Sequence, residues 1–173
     1  MVQINKNRIN ELHNGVLNWE YDKSRAEEES NYEKHEKAMN KYENVLDKFE
    51  TEYGVRKIGE GRDRITFTSG SLVQHKNNTI IKVSRGEGMN QNIEEIELWN
   101  NLPKEVKKYI ASIVQYDKNH RWIVQERANQ ITPRGASQKL QSKLNELGWS
   151  CSDISPDNVG EINGTLVLLD LGI

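Results

Sequence analysis

The chain predicts an α+β fold with a mainly antiparallel sheet, and three observations carry that prediction. Residues 1–52 hold one glycine (Gly15), no proline, and apolar residues at helical spacing. From Gly54 the texture changes to short β-prone runs separated by glycines and by an Asn77-Asn78 turn. The whole order then reads strands, helix, strands, helix, loop, strand, which is an α+β arrangement.

Along the chain, Ile9, Leu12, Val16 and Trp19 predict a first amphipathic helix. Ser24-Arg25-Ala26-Glu27 has the form of a capping box and predicts the start of a second. Within it Tyr32, Met39, Leu46 and Tyr53 fall seven apart, and His35, Tyr42 and Phe49 complete a heptad stripe. The stripe is short and polar, so its first reading is a helix docked on its own domain. A dimer contact or a partner surface is the alternative. Strands are expected at residues 55–58, 65–68, 71–74 and 79–83, from their β-branched and apolar content. Residues 91–102 read as a helix stopped by Pro103, and residues 113–116 and 122–125 as a hairpin around Lys118-Asn119-His120. Residues 137–147 are helical again and end at Gly148.

With 173 residues the chain makes one compact domain, or one domain with an appendage. Charge is uneven. Residues 1–52 hold 8 Lys/Arg against 12 Asp/Glu, and the remainder 16 against 14. The formal net charge of −2 gives no general affinity for nucleic acid. Cys151 is the only cysteine, which excludes an internal disulfide framework and fits a reducing cytoplasm. No apolar run approaches the ~18 residues that cross a bilayer, so a soluble protein without a membrane partner is expected. His13, His35, His75, His120 and Cys151 show no zinc-ligand spacing.

Chemistry-bearing residues concentrate in a few places. Asp153 is followed five positions later by Asn158, and twelve after that by Asp170-Leu171-Gly172. A carboxylate for an acceptor hydroxyl, plus an amide and a carboxylate for a metal, is what phosphoryl transfer from a Mg-nucleotide requires. Gly59-Glu60-Gly61 lies between two expected strands, where glycines let backbone N–H groups approach phosphate oxygens. Lys82 is a lone cation in an apolar strand and, facing inward, needs an anion. Glu95, thirteen residues on, is preferred to Glu94 and Glu97 as that anion because Trp99 shares its helix face. The strand 122–125 runs into Glu126-Arg127-Ala128, a strand end able to offer backbone groups to a ligand. Arg62 reads as a solubilising residue, and Arg64 is open between solubility and phosphate contact.

In this order, the motifs resemble the protein-kinase-like superfamily, most closely its aminoglycoside-phosphotransferase and other small atypical branches. The resemblance covers about residues 53–173. It implies a helical extension (1–52), an antiparallel N-lobe (53–128) and a severely truncated C-lobe (129–173). It further implies that Gly59 and Gly61 cover the phosphates of ATP and that Lys82, held by Glu95, contacts them. The adenine would meet Gln125, the Glu126 carbonyl and the Ala128 amide. Asp153 would orient or deprotonate the acceptor, while Asn158 and Asp170 would hold Mg²⁺. The departures are Cys151 where relatives carry His or Tyr, Ser155 in place of a loop lysine, and Arg64 where a third glycine would stand. Room for one helix, not two, separates Glu126 from Asp153, and only Ile173 follows the last motif. The N-terminal helices are therefore expected to pack where the missing helices would be.

Two functions follow. One is a minimal ATP- and Mg-dependent phosphotransferase acting on a hydroxyl of a protein or small molecule. The other is a pseudokinase-like binding protein, monomeric or dimeric, that engages a protein partner through residues 1–52. The compact, Lys- and Asn-rich texture suits a phage or mobile-element product.

Overall fold

The computed structural model of the chain describes residues 2–74, 78–86, 88–130, 134–152 and 154–171. The fold is α+β with antiparallel sheets. Asp153, Asn77, Gly172 and Ile173, each part of an expectation above, lie outside the described residues.

Strand β1 (Gln3–Ile4) leads into helix α1 (Lys6–Glu28), whose first turn is capped by Asn5 accepting from the Arg8 N–H at 3.3 Å. Ile9, Leu12, Val16, Trp19 and Ala26 form its buried stripe. The helix continues through Ser24, so the capping-box expectation is wrong. Ser24 is exposed within the helix, and continuing the turn keeps Ala26 on the buried face. The chain reverses at Ser30, which takes φ 50°, and Asn31 caps helix α2 (Tyr32–Tyr53) by accepting from the Lys34 N–H at 3.0 Å. Gly54 ends α2 with φ 67°, its N–H donating to the Glu50 carbonyl and that of Val55 to Phe49. That is a left-handed glycine closure with a 5→1 bond, and it moves the next strand two residues beyond its expected start.

The two helices approach closely at Gly15, where a Cβ would lie 2.9 Å from Val45 Cγ1. The trade favours glycine: it costs about 1 kcal/mol in a helix interior, and a side chain would push α2 away. Trp19 stacks on Tyr42 with centroids 4.2 Å apart. Of the heptad stripe, Tyr42 and Phe49 are buried, whereas Tyr32 is 84% exposed.

The main sheet runs β2 (Lys57–Glu60), β3 (Arg64–Thr68), β5 (Thr79–Ser84), β7 (Trp122–Glu126), β6 (Ile113–Tyr116), every neighbour antiparallel. Between its second and third members, residues 70–72 form a 3₁₀ turn before β4 (Val73–Gln74), which pairs with β1. The expected strand at 71–74 is thus half turn. Side chains alternate across the sheet. Ile65, Phe67, Ile81, Val83, Trp122 and Val124 face α1 and α2, and share one buried cluster with them. Each large apolar side chain so buried contributes roughly 1.5–3 kcal/mol.

Helix α3 (Met89–Asn101) and the short α4 (Lys104–Lys107) follow β5; strand β8 (Asn129–Gln130) and helix α5 (Ala136–Glu146) follow β7. A 3₁₀ turn at residues 156–158 opens the last hairpin, β9 (Val159–Ile162) with β10 (Thr165–Leu168). Leu102, Val106, Ile110, Leu140, Leu144, Val159 and Leu168 belong to a second buried cluster, which holds no residue of α1 or α2. The N-terminal helices therefore do not pack against this cluster, contrary to the expectation above. They cover the back of the main sheet, where the apolar half of each strand needs them.

Candidate functional site: a cleft with a buried ion cluster

Period-two alternation decides where Lys82 points. Its neighbours Ile81 and Val83 face the helices, so Lys82 faces the opposite side, across from Thr66 and Ile123 in the adjacent strands. There α3 supplies Glu95, which is 1% exposed, while Glu94 and Glu97 are exposed on the outer face. The Lys82 ammonium donates to Glu95 Oε1 at 2.9 Å and to the Leu169 carbonyl at 3.1 Å, and lies 3.8 Å from Asp170 Oδ1. Strand β10 brings Asp170 here: its neighbour Leu168 is bonded through its backbone N–H to the Tyr109 carbonyl. Asn158 Nδ2 donates to the Asp170 backbone carbonyl at 3.0 Å. Lys82, Glu95, Asn158 and Asp170, separate in sequence, thus meet in one place.

A further member was left open by sequence reasoning. Arg64, at the start of β3, is 6% exposed. Its Nη1 donates to Glu95 Oε2, and its Nη2 to both carboxylate oxygens of Asp170, the Oδ1 contact being 2.5 Å. Asn92 Oδ1 also accepts from Nη1 at 3.4 Å. Burial disfavours the Arg64 cation, but Glu95 and Asp170 outweigh it and raise its pKa. Burial likewise works against the Asp170 carboxylate, yet Lys82 and Arg64 prevail and hold it below the ordinary carboxylate range. Two cations and two carboxylates balance.

The cluster borders a cleft of about 580 Å³ lined by Gly59, Thr66, Ile80, Lys82, Gln125, Glu126, Ala128, Asn158 and Asp170. Its size lies within the range of small-ligand sites. Gly61 is not among the lining residues: its N–H donates to the Arg64 carbonyl at 2.8 Å, and its own carbonyl accepts from Arg85 Nη1 at 2.8 Å. Gln125 is buried at the back. Its Nε2 donates to the Ala111 carbonyl at 3.0 Å, which fixes the amide orientation, and its Oε1 has no hydrogen-bond partner among the described residues. An unpartnered buried acceptor costs on the order of 1–3 kcal/mol, and a ligand carrying an amino group would satisfy it.

The residues suit Mg²⁺ poorly as they stand. Each Asp170 oxygen already accepts from Arg64, and Lys82 adds a second positive charge 3.8 Å away. Among the described residues, no three His, Cys, Asp or Glu side chains cluster so as to hold a metal ion. No helix of the described residues is long and apolar enough to cross a membrane.

No family model and no curated protein matches this chain. Among solved structures it is similar to Cex1p at 17% identity and a TM-score of 0.45, over 68% of this chain and 25% of that one. The chain therefore spans about a quarter of that protein's length.

Proposed function

We propose that the cleft is a protein-kinase-like nucleotide site that binds a nucleoside triphosphate. The observation that carries this reading is the inward Lys82, held by Glu95 and brought within 3.8 Å of Asp170. A buried ammonium aimed by a carboxylate toward an open cleft is suited to phosphate oxygens. Gln125 supports adenine as the base, since its Oε1 needs a donor and the exocyclic amine provides one. Glu126 and Ala128 line the same end and are the strand-end groups expected at the base edge. Gly59 lies over the cleft from the edge strand β2 and leaves room for phosphates. The domain division at residues 53–128 and 129–173 belongs to the same reading.

Such a site serves two functions. Phosphoryl transfer to a hydroxyl would use Asp153 as the base and Mg²⁺ on Asn158 and Asp170. The binding reading, in which nucleotide stabilises a surface for a protein partner, is favoured by one specific observation: Arg64 occupies both oxygens of Asp170. Incubation with γ-labelled ATP reads both functions at once. Label retained on the native protein is the expected result and supports nucleotide binding. Label transferred to an acceptor, and lost in Asp153→Ala, would establish the enzyme. The absence of both retention and transfer would contradict the proposal.

A further inference from the structure

Arg64 is the buried charged group that the nucleotide reading does not use. Its guanidinium takes two carboxylates from opposite sides, Glu95 on α3 and Asp170 beyond β10. Lys82 already satisfies one oxygen of Glu95, so Arg64 is not needed to aim the lysine. Where it acts is on Asp170, the carboxylate that lines the cleft. A guanidinium nitrogen shared by both oxygens of one carboxylate is a charge-assisted contact of the strong kind. It also places a permanent positive charge where a divalent cation would have to sit, because arginine does not lose its proton in proteins. Like charges a few ångströms apart in a partly desolvated site repel strongly.

We infer that Arg64 is a resident cation that displaces divalent metal from Asp170, so that nucleotide enters this cleft in its metal-free form. This rests on the nucleotide reading above. The site is then a metal-independent triphosphate site, with Lys82 as the phosphate contact and Asp170 reserved for Arg64. Removing Arg64 should leave Asp170 open to a dication and convert the site to metal dependence.

The test measures a fluorescent ATP analogue against the full chain in EDTA and in excess Mg²⁺, together with Mn²⁺ alone followed by its paramagnetic signal. The parent protein should bind the analogue more tightly in EDTA than in excess Mg²⁺, where the metal draws the nucleotide into its own complex, and should bind no Mn²⁺. Arg64→Gln should lose roughly tenfold or more in EDTA, recover with Mg²⁺, and acquire a Mn²⁺ signal. If Arg64→Gln does not fold, Arg64→Lys serves, because an ammonium lacks the planar fork that holds Glu95 and both oxygens of Asp170 at once and should shift the same readouts part of the way. Parent binding that vanishes in EDTA and returns with Mg²⁺ overturns this inference while leaving the nucleotide reading intact. No binding in either buffer overturns the nucleotide reading, and the inference falls with it.

Discussion

Lys82 matters because of what surrounds its ammonium: a buried carboxylate from α3, and a backbone carbonyl and a second carboxylate from the segment after β10. Its place was legible in the sequence, since a cation in a β-branched run must leave the apolar face. Glu95 could be chosen from three glutamates by helical periodicity, and the outer two are exposed. Arg64 gave no comparable signal. Its partners lie 31 and 106 positions away, and a hairpin arginine reads equally as solubilising or as a phosphate contact. His13 carries a separate consequence at this scale. Burial, and secondarily Arg121, push its imidazole down to about 4 against the pull of Asp117, while Nε2 lies 3.1 Å from the Ser84 hydroxyl. The unfolded chain takes up this proton near pH 6.5, so the stability of neutral His13 is fully present above that value. It is lost as the pH falls toward about 4, by roughly 2–3 kcal/mol across the window. Thermal melts of His13→Gln should therefore be less sensitive to acid over that window than those of the parent. Parallel curves for the two proteins would contradict this.

Among elements, the α1–α2 hairpin is a wall of the core and not an arm. Its stripe shares a cluster with the inner face of the main sheet, so the charged texture of residues 1–52 reflects only their outer half. Phe49 is 1% exposed there. Phe49→Ala should cost about 3–5 kcal/mol by lost burial and a residual cavity, read by chemical denaturation. A cost below about 1 kcal/mol, the level of a surface substitution, would show the hairpin to be loosely attached. The same hairpin is tied to the β2–β3 turn: Arg85 donates to Glu20 of α1, to Glu60 at 3.1 Å and to the Gly61 carbonyl at 2.8 Å. Element boundaries were less legible where local signals competed. The box at Ser24 lost to the demands of a buried stripe, and Asn31 became the cap. The turn at Asn163-Gly164, with φ 50° and 80°, is a hairpin signal that the sequence reading passed over.

At the scale of the molecule, two buried clusters lie on either side of one cleft. One is built from the sheet and the helical hairpin, the other from α4, α5 and the final strands. The sheet supplies Lys82 and Gln125, and the turns flanking the final hairpin supply Asn158 and Asp170, so a ligand in the cleft would touch both halves. A triphosphate bound there should stabilise the whole fold by linkage, because only the folded chain brings these groups together. The deciding measurement is the thermal midpoint of the parent and of Lys82→Met with and without ATP, in EDTA and in Mg²⁺. At a nucleotide concentration of about 100 times its dissociation constant the parent should gain about 2.7 kcal/mol, and Lys82→Met, shown by its own melt to be folded, should gain nothing. An unchanged midpoint in the parent, or an equal gain in Lys82→Met, would contradict a phosphate-binding cleft built on this lysine.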